Sequence, residues 1–277
     1  MNWFAGAALA KEILPLRGKF STNVLRENTL FLGKVARRFE VLPSTNTYAV
    51  TWAAKSRPPE GSVVIAANQT EGRGQLGRSW VSAPAANCLQ SVILYPGFLP
   101  ARRHFLLTQA AALAVSDLLI DYLGPARVRI KWPNDCYIDD RKVAGILIQT
   151  VLSGTQLQTA VVGIGLNVLQ RDFGPAAPRA TSLALALARP YDLDTVRAGL
   201  FQRLEQRYLQ LKAGKHALLQ RTYLDRLYRL DQPTDFVRTA DQSGFRGTIR
   251  GISSSGKLVV ESPVGKEHFG MGEVGLL

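Results

Sequence analysis

With 277 residues, 46% of them hydrophobic and 20% charged, the chain can bury a full core with room for a smaller second unit, and wholesale disorder is excluded. Its two cysteines, Cys88 and Cys136, have no C-x-x-C spacing, which excludes a disulfide scaffold and a cysteine-based zinc site; buried free thiols in the cytoplasm are expected. The 34 Lys and Arg against 21 Asp and Glu leave a net charge of +13, which favours an anionic partner or substrate.

Residues 1–36 show no period and are set apart as an arm of unknown role. A strand is expected over 39–42, ended by Pro43, then a helix over 47–55 with Ser44 or Asn46 as its cap. Strands follow over 61–67 and 88–95, and the clearest helix spans 105–123, stopped by Gly124-Pro125. Val128, Ile130 and Trp132 alternate with basic residues, which reads as a strand with one apolar face. Two more strands, 142–150 and 156–168, are joined by a hairpin turn at Ser153-Gly154-Thr155. Residues 192–230 read as two helices broken near Gly214. Beyond Pro233, short strands over 236–238, 247–252 and 257–260 form an all-β module small enough to need docking on a neighbour. No apolar run is read as long enough to span a bilayer, so no membrane partner is expected.

Four segments carry candidate chemistry. Ser44-Thr45-Asn46 serves either as a helix cap or as hydroxyl and amide groups holding a small polar head group. The run from Asn68 to Trp80 packs three glycines and two arginines behind an apolar strand. Gly72-x-Gly74-x-x-Gly77 matches the dinucleotide fingerprint, but Pro84 and short polar residues follow where that motif opens a helix. What remains is an anion loop in which Gln69, Arg73 and the N–H groups around Gly74 grip a negative charge, with Arg78 adding another. Lys131-Trp132-Pro133-Asn134-Asp135 ends a strand in a turn and presents Lys131 as a point charge for a carboxylate or phosphate oxygen. In residues 161–167, period two puts Gly163, Gly165 and Asn167 on one face, leaving room for a ligand or for a packed helix, and Gly145 adds another bare position. His104, His216 and His268 lie outside all four segments, and no triad or metal site is directly predicted. Such groups suit chemistry in which developing negative charge is stabilised, as in attack on a phosphate.

Together with Lys142-x-Ala144-Gly145-Ile146-Leu147, Gly163-Ile164-Gly165-Leu166-Asn167-Val168, Thr181-Ser182-Leu183 and Gly272-Glu273-Val274, these motifs resemble in order and spacing the biotin–protein ligases (biotin–[acetyl-CoA-carboxylase] ligases), from about residue 37 to residue 277. The resemblance implies an α+β fold. A mixed β-sheet flanked by helices, the class II synthetase-like catalytic fold, is expected over 37–231, and a small SH3-like β-barrel over 232–277. It also implies biotin and ATP with Mg2+ as substrates, biotinyl-5′-AMP as intermediate, and as acceptor a lysine of the biotin carboxyl carrier domain of acetyl-CoA carboxylase or a related carboxylase. The enzyme is expected to be a cytoplasmic monomer or homodimer. By motif, Ser44, Thr45, Asn46, Gln69, Arg73, Gly74, Gln75, Lys131 and Gly145 fall to biotin, with Lys131 and Arg73 as catalytic groups. Arg78, Trp80, Asn134 and Asn167 fall to the nucleotide.

Two departures stand out: Gln75 replaces an arginine of many members, and Gln149 stands where an acidic residue often follows the Gly-Ile-Leu motif. Only 43 residues precede Ser44, without a helix–turn–helix pattern, so the class lacking the DNA-binding domain is expected, with no nucleic-acid partner. A lipoate ligase or octanoyltransferase, of the same catalytic fold, is the alternative enzyme, and a basic nucleic-acid-binding regulator the alternative without chemistry.

Overall fold

The structure, a computed structural model, describes residues 28–175 and 177–277. The expected arm over 1–36 therefore lies largely outside the described residues. Seven strands build the main sheet: β1 (Ala36–Leu42), β2 (Val63–Gln69), β3 (Asn87–Leu94), β4 (Val128–Lys131), β5 (Asp135–Ile138), β6 (Arg141–Ser153) and β7 (Gln156–Asn167). Their order is β1-β2-β3-β7-β6-β5-β4, with β1 and β2 parallel and every other pair antiparallel, so the sheet is mixed as expected. The β6–β7 turn falls where the sequence places it, with Ser153 opposite Gln156 and Gly154 at φ 57°.

Helices cover both faces. α1 (Thr45–Ser56) packs its Ala49 and Trp52 on Phe39, Val64, Ala66, Ile93 and Val161. On the other face lie α2 (Phe105–Leu123), α4 (Leu193–Lys212) and α5 (His216–Asp225), with the short α3 (Leu183–Leu187) between β7 and α4. Side-chain alternation divides the two layers: Val162, Ile164 and Leu166 of β7 enter the α2–α4 core, whereas Val161 faces α1. The α2 segment is long and apolar enough to cross a membrane, contrary to the sequence reading, but it is the central helix of this core, with 14 of its 19 residues buried. Asp117 of α2 accepts from Arg207 of α4 (2.6 Å) and from Arg226 beyond α5 (2.7 Å), tying the three helices together.

The C-terminal strands β8 (Pro233–Arg238), β9 (Gly244–Ile252), β10 (Leu258–Ser262), β11 (Gly265–Phe269) and β12 (Val274–Leu276) pair antiparallel in the order β11-β10-β9-β8-β12. The edge strands β11 and β12 are not hydrogen-bonded to each other, so the expected small C-terminal β-unit is an antiparallel sheet without full barrel closure. Phe236, Ile249, Leu258, Val260 and Phe269 are continuous with the α2 core, and Trp132 Nε1 donates to the Gly256 carbonyl at 2.9 Å. Too small to stand alone, this sheet is anchored on its neighbour.

Candidate functional site

Beside the N-terminus of α1, the sheet face is stripped of side chains. A row of registered residues crosses five strands: Leu89, Gly165, Gly145, Asp135 and Lys131. The next row holds Ser91, Gly163 and Leu147. The glycines floor a cavity of about 480 Å³, mouth included, walled by Ser44, Thr45 and Asn46 at the start of α1 and by Gln69, Arg73, Gly74 and Gln75. Here the two readings of Ser44-Thr45-Asn46 coincide. The Ser44 hydroxyl caps α1 by accepting from Thr47 N, and the first helical turn is itself the cavity wall.

The glycine–arginine loop folds back on itself as a small hairpin. Trp80 N donates to Gly72 O (2.9 Å), Arg73 bridges Ser79, and Gly74 N donates to Arg78 O (2.6 Å), with the tip at Gln75-Leu76-Gly77. Gly72 is required there because the Trp80 carbonyl occupies the space a Cβ would take. The fold-back lays the indole of Trp80 across Gly145 and Gly165. Gln69 Oε1 accepts from Thr45 N (2.7 Å) and Thr45 Oγ1 (3.0 Å), and Ser91 Oγ donates to Thr45 Oγ1 (2.9 Å). Asn46 Oδ1 and Trp80 Nε1 are buried in this wall without a hydrogen-bond partner. An unpartnered buried polar atom costs about 1–3 kcal/mol, so one acceptor and one donor stand ready for a ligand.

A second cleft of about 1060 Å³ opens between the loop, the β4–β5 turn and the C-terminal sheet. Gly74, Gln75, Trp80, Asn134, Asp135 and Lys142 line both spaces, so the two are continuous through a shared wall. Arg78 and Lys131 line the second cleft and not the first.

Lys142 lies outside the candidate residues taken from the sequence. Its Nζ is 2.7 Å from Asp135 Oδ1 and 5.6 Å from the Trp80 ring centroid. Counting by twos from Gly145 would send Lys142 into the core. A bulge between β5 and β6 prevents this: Val143 and Ala144 both enter the α2 core, and Lys142 is turned onto the cavity face. Two lysines near a turn are the sequence signal; the bulge that chooses between them is not visible there.

Lys131 stands three strands from Gly165, roughly 14 Å at 4.8 Å per strand, and lines the second cleft rather than the glycine-floored cavity. Burial holds its ammonium below the ordinary lysine range; Lys142, Arg179 and Arg78 push the same way and Asp135 opposes them. Asn134 donates to Ile146 O and faces both spaces. Asn167 shares the bare face, as period two requires, but its Nδ2 donates to Thr181 O at 3.0 Å and it lines neither space. Cys88 and Cys136 are buried free thiols, with burial raising the Cys88 thiol to about 11. Among the described residues, no three His, Cys, Asp or Glu side chains cluster as a metal site.

The biotin/lipoate A/B protein ligase family matches residues 38–167, the sheet segment that carries every wall of the cavity. The chain is 35% identical over 221 residues to the biotin–[acetyl-CoA-carboxylase] ligase of Paracoccus denitrificans, covering 76% of this chain and 88% of that one. It is 32% identical over 257 residues to the bifunctional ligase/repressor BirA of Bacillus subtilis, covering 90% and 76%. In fold it is similar to the biotin protein ligase of Aquifex aeolicus solved with biotin and ATP, at a TM-score of 0.72 and 24% identity over 87% of this chain and 98% of that one. The chain therefore belongs to the biotin/lipoate A/B protein ligase family, and within it to the biotin–protein ligases.

Proposed function

We propose that this chain attaches biotin to a lysine of a biotin carboxyl carrier domain in two steps within the paired spaces. The biotin carboxylate attacks the α-phosphorus of ATP, the bond to the β-phosphate breaks, and pyrophosphate leaves. The carrier lysine's uncharged amine then attacks the acyl carbon of biotinyl-5′-AMP, an amide forms, AMP departs and the amine's proton passes to solvent. The observation that carries this reading is the continuity of a small polar-ended cavity with a larger cationic cleft through one wall.

The ureido head of biotin fits over Gly163 against Asn46, Thr45, Ser44 and Gln69, whose amides and hydroxyls match its donors and acceptor. The valerate then runs past the edge of Trp80, whose indole covers Gly145 and Gly165, bringing its carboxylate to Lys142 and Arg73. Lys142 is placed to hold the carboxylate and the α-phosphate as charge develops, with Asp135 fixing its ammonium. Lys131, Arg78 and Asn134 then serve the nucleotide from the second cleft, so Lys131 is assigned to phosphate rather than to biotin. Magnesium enters with ATP. Asp135 beside Asn134 would hold that ion, which would offset phosphate charge there.

Residues 37–231 then form the biotin- and ATP-binding unit and 232–277 a lid-side module closing the second cleft, in a cytoplasmic enzyme. Biotin-dependent ATP–pyrophosphate exchange tests the reading, with lipoate as control. Exchange with biotin and none with lipoate is expected; the reverse would assign the chain to lipoate chemistry.

A further inference from the structure

Two buried amides meet where β3 begins and β7 ends: Asn87, 1% exposed, and Gln170, 7% exposed. Neither lines the cavity or the second cleft. Gln170 Oε1 accepts from Asn87 Nδ2 (2.6 Å) and from Ala83 N (3.0 Å), and Gln170 Nε2 donates to Asp172 O (2.7 Å). Asn87 Nδ2 also donates to Ser82 Oγ (2.9 Å), and Asn87 Oδ1 accepts from Val168 N (3.0 Å). Only an amide serves at the Gln170 position, receiving on one terminal atom and giving on the other. A carboxylate of the same reach can only receive, and a thioether is a weak acceptor with nothing to give.

This network joins the two chain segments that frame the site. On one side is the stretch descending from Trp80. None of residues 81–86 is fully buried or lies in a helix or strand, so hydrogen bonds rather than packing fix its course. Its base is held by Ala85 N donating to Ala67 O (2.8 Å) and Leu169 N donating to Ala86 O (2.7 Å). Nearer Trp80 the anchors are Ser82 on Asn87 and Ala83 on Gln170. On the other side is segment 168–182, entered through Gln170 and Asp172. Its far end brackets Lys142, whose N donates to Arg179 O and whose O accepts from Thr181 N, each at 2.8 Å. The Trp80 ring and the Lys142 ammonium meet 5.6 Å apart beside the glycine floor, and the amide pair is the junction behind both.

We propose that Gln170, together with Asn87, is a positioning residue that fixes the Trp80 hairpin against the Lys142 strand. This deepens the adenylation reading and rests on it, since that reading gives Trp80 and Lys142 their work. Gln170 lines neither space, so it acts through the indole rather than on a substrate. Without it the hairpin stays closed by Trp80 N on Gly72 O but loses an anchor nearest its descending strand, and it shifts as a unit. The indole then sits less firmly on Gly145 and Gly165. A misplacement of about 1 Å in a substrate wall is enough to slow a reaction about 100-fold, because reacting atoms tolerate little misalignment.

The test is a double-mutant cycle between Gln170→Met and Trp80→Leu in the full chain, read as the biotin Kd by calorimetry. Methionine keeps the length of glutamine and removes its donor and its strong acceptor. Gln170→Met alone raises Kd roughly tenfold. In the Trp80→Leu background it adds less than about twofold, because the residue it acts through is gone. Gln170→Glu still receives from Ala83 and Asn87 and restores most of the affinity. An unchanged Kd for Gln170→Met overturns the proposal, and so do losses that simply multiply in the double variant. Ser82→Ala removes one link outside the core and carries the cycle if the methionine variant does not fold. It gives a smaller rise in Kd, again absent beside Trp80→Leu; an equal rise in both backgrounds counts against the junction. Amide hydrogen exchange in the ligand-free chain separates the two layers. Faster exchange over 72–86 in the Gln170 or Ser82 variant supports the junction even if the wild type binds no biotin, an outcome that would sink the ligase reading instead. Unchanged exchange there overturns the junction itself.

Discussion

Gly165→Ala isolates the geometry of the cavity floor. A methyl at Gly165 would lie 2.5 Å from Trp80 Cε2, 2.7 Å from Cζ2 and 2.9 Å from Nε1. Carbon–carbon contact becomes favourable at about 3.5 Å, so the indole must lift by roughly 1 Å. It is not free to do so, because Trp80 N is bonded to Gly72 O and the loop is closed by the Arg73–Ser79 bridge. Overpacking of this kind costs about 1–3 kcal/mol. If the whole cost falls on the biotin-bound state, Kd rises by roughly 5- to 150-fold. Calorimetric titration of biotin is the assay, with Gly97→Ala as control, since nothing lies within 4 Å of a Cβ there. Pairing Gly165→Ala with Trp80→Leu should recover part of the affinity non-additively, as residues in contact do. A Gly165→Ala protein that binds biotin as tightly as Gly97→Ala would show that the seat of this indole on the sheet does not shape the biotin site.

Lys142→Ala lowers the adenylation rate by about 10²–10³-fold, the usual loss for removing a charge-stabilising donor, whereas Lys131→Ala acts chiefly on the KM for ATP; exchange kinetics distinguish the two. Because Lys131 sits below the ordinary lysine range, largely through burial, it loses its proton earlier on the alkaline side than an exposed lysine. The KM for ATP therefore rises on that limb, and Lys131→Arg flattens the rise in a pH series. Burial raises the Asp117 carboxyl, but hydrogen bonds from Arg207 and Arg226 outweigh it and leave the group below its ordinary value. Its stabilisation is complete above that ordinary value and disappears as pH falls through the folded one. Asp117→Asn costs about 3 kcal/mol in denaturant unfolding at neutral pH, and the deficit shrinks in acid.

Much of the architecture was legible because it depends on local chemistry. Gly124 ends α2 where the apolar stripe ends, Gly154 turns β6 into β7, and Ser44 caps α1. Period two correctly separated Gly163 and Gly165 from Val162, Ile164 and Leu166, since alternation survives wherever a strand is regular. The membrane-length character of α2 is ambiguous in sequence alone, because a central core helix and a spanning helix are equally apolar; its neighbours decide. The open C-terminal sheet likewise depends on whether β11 meets β12, a contact between residues distant in the chain.

The choice between two lysines belongs wholly to the tertiary structure. The sequence reading chooses Lys131, at a strand end running into a turn, and leaves Lys142 as the first residue of a strand. One extra residue in the β5–β6 pairing turns Lys142 onto the glycine face beside Asp135, and the strand order carries Lys131 outward to Arg78 and Arg179. Composition determines that cations are present. A bulge and a strand order determine which atom each one meets, because side-chain direction reverses with a single residue of register.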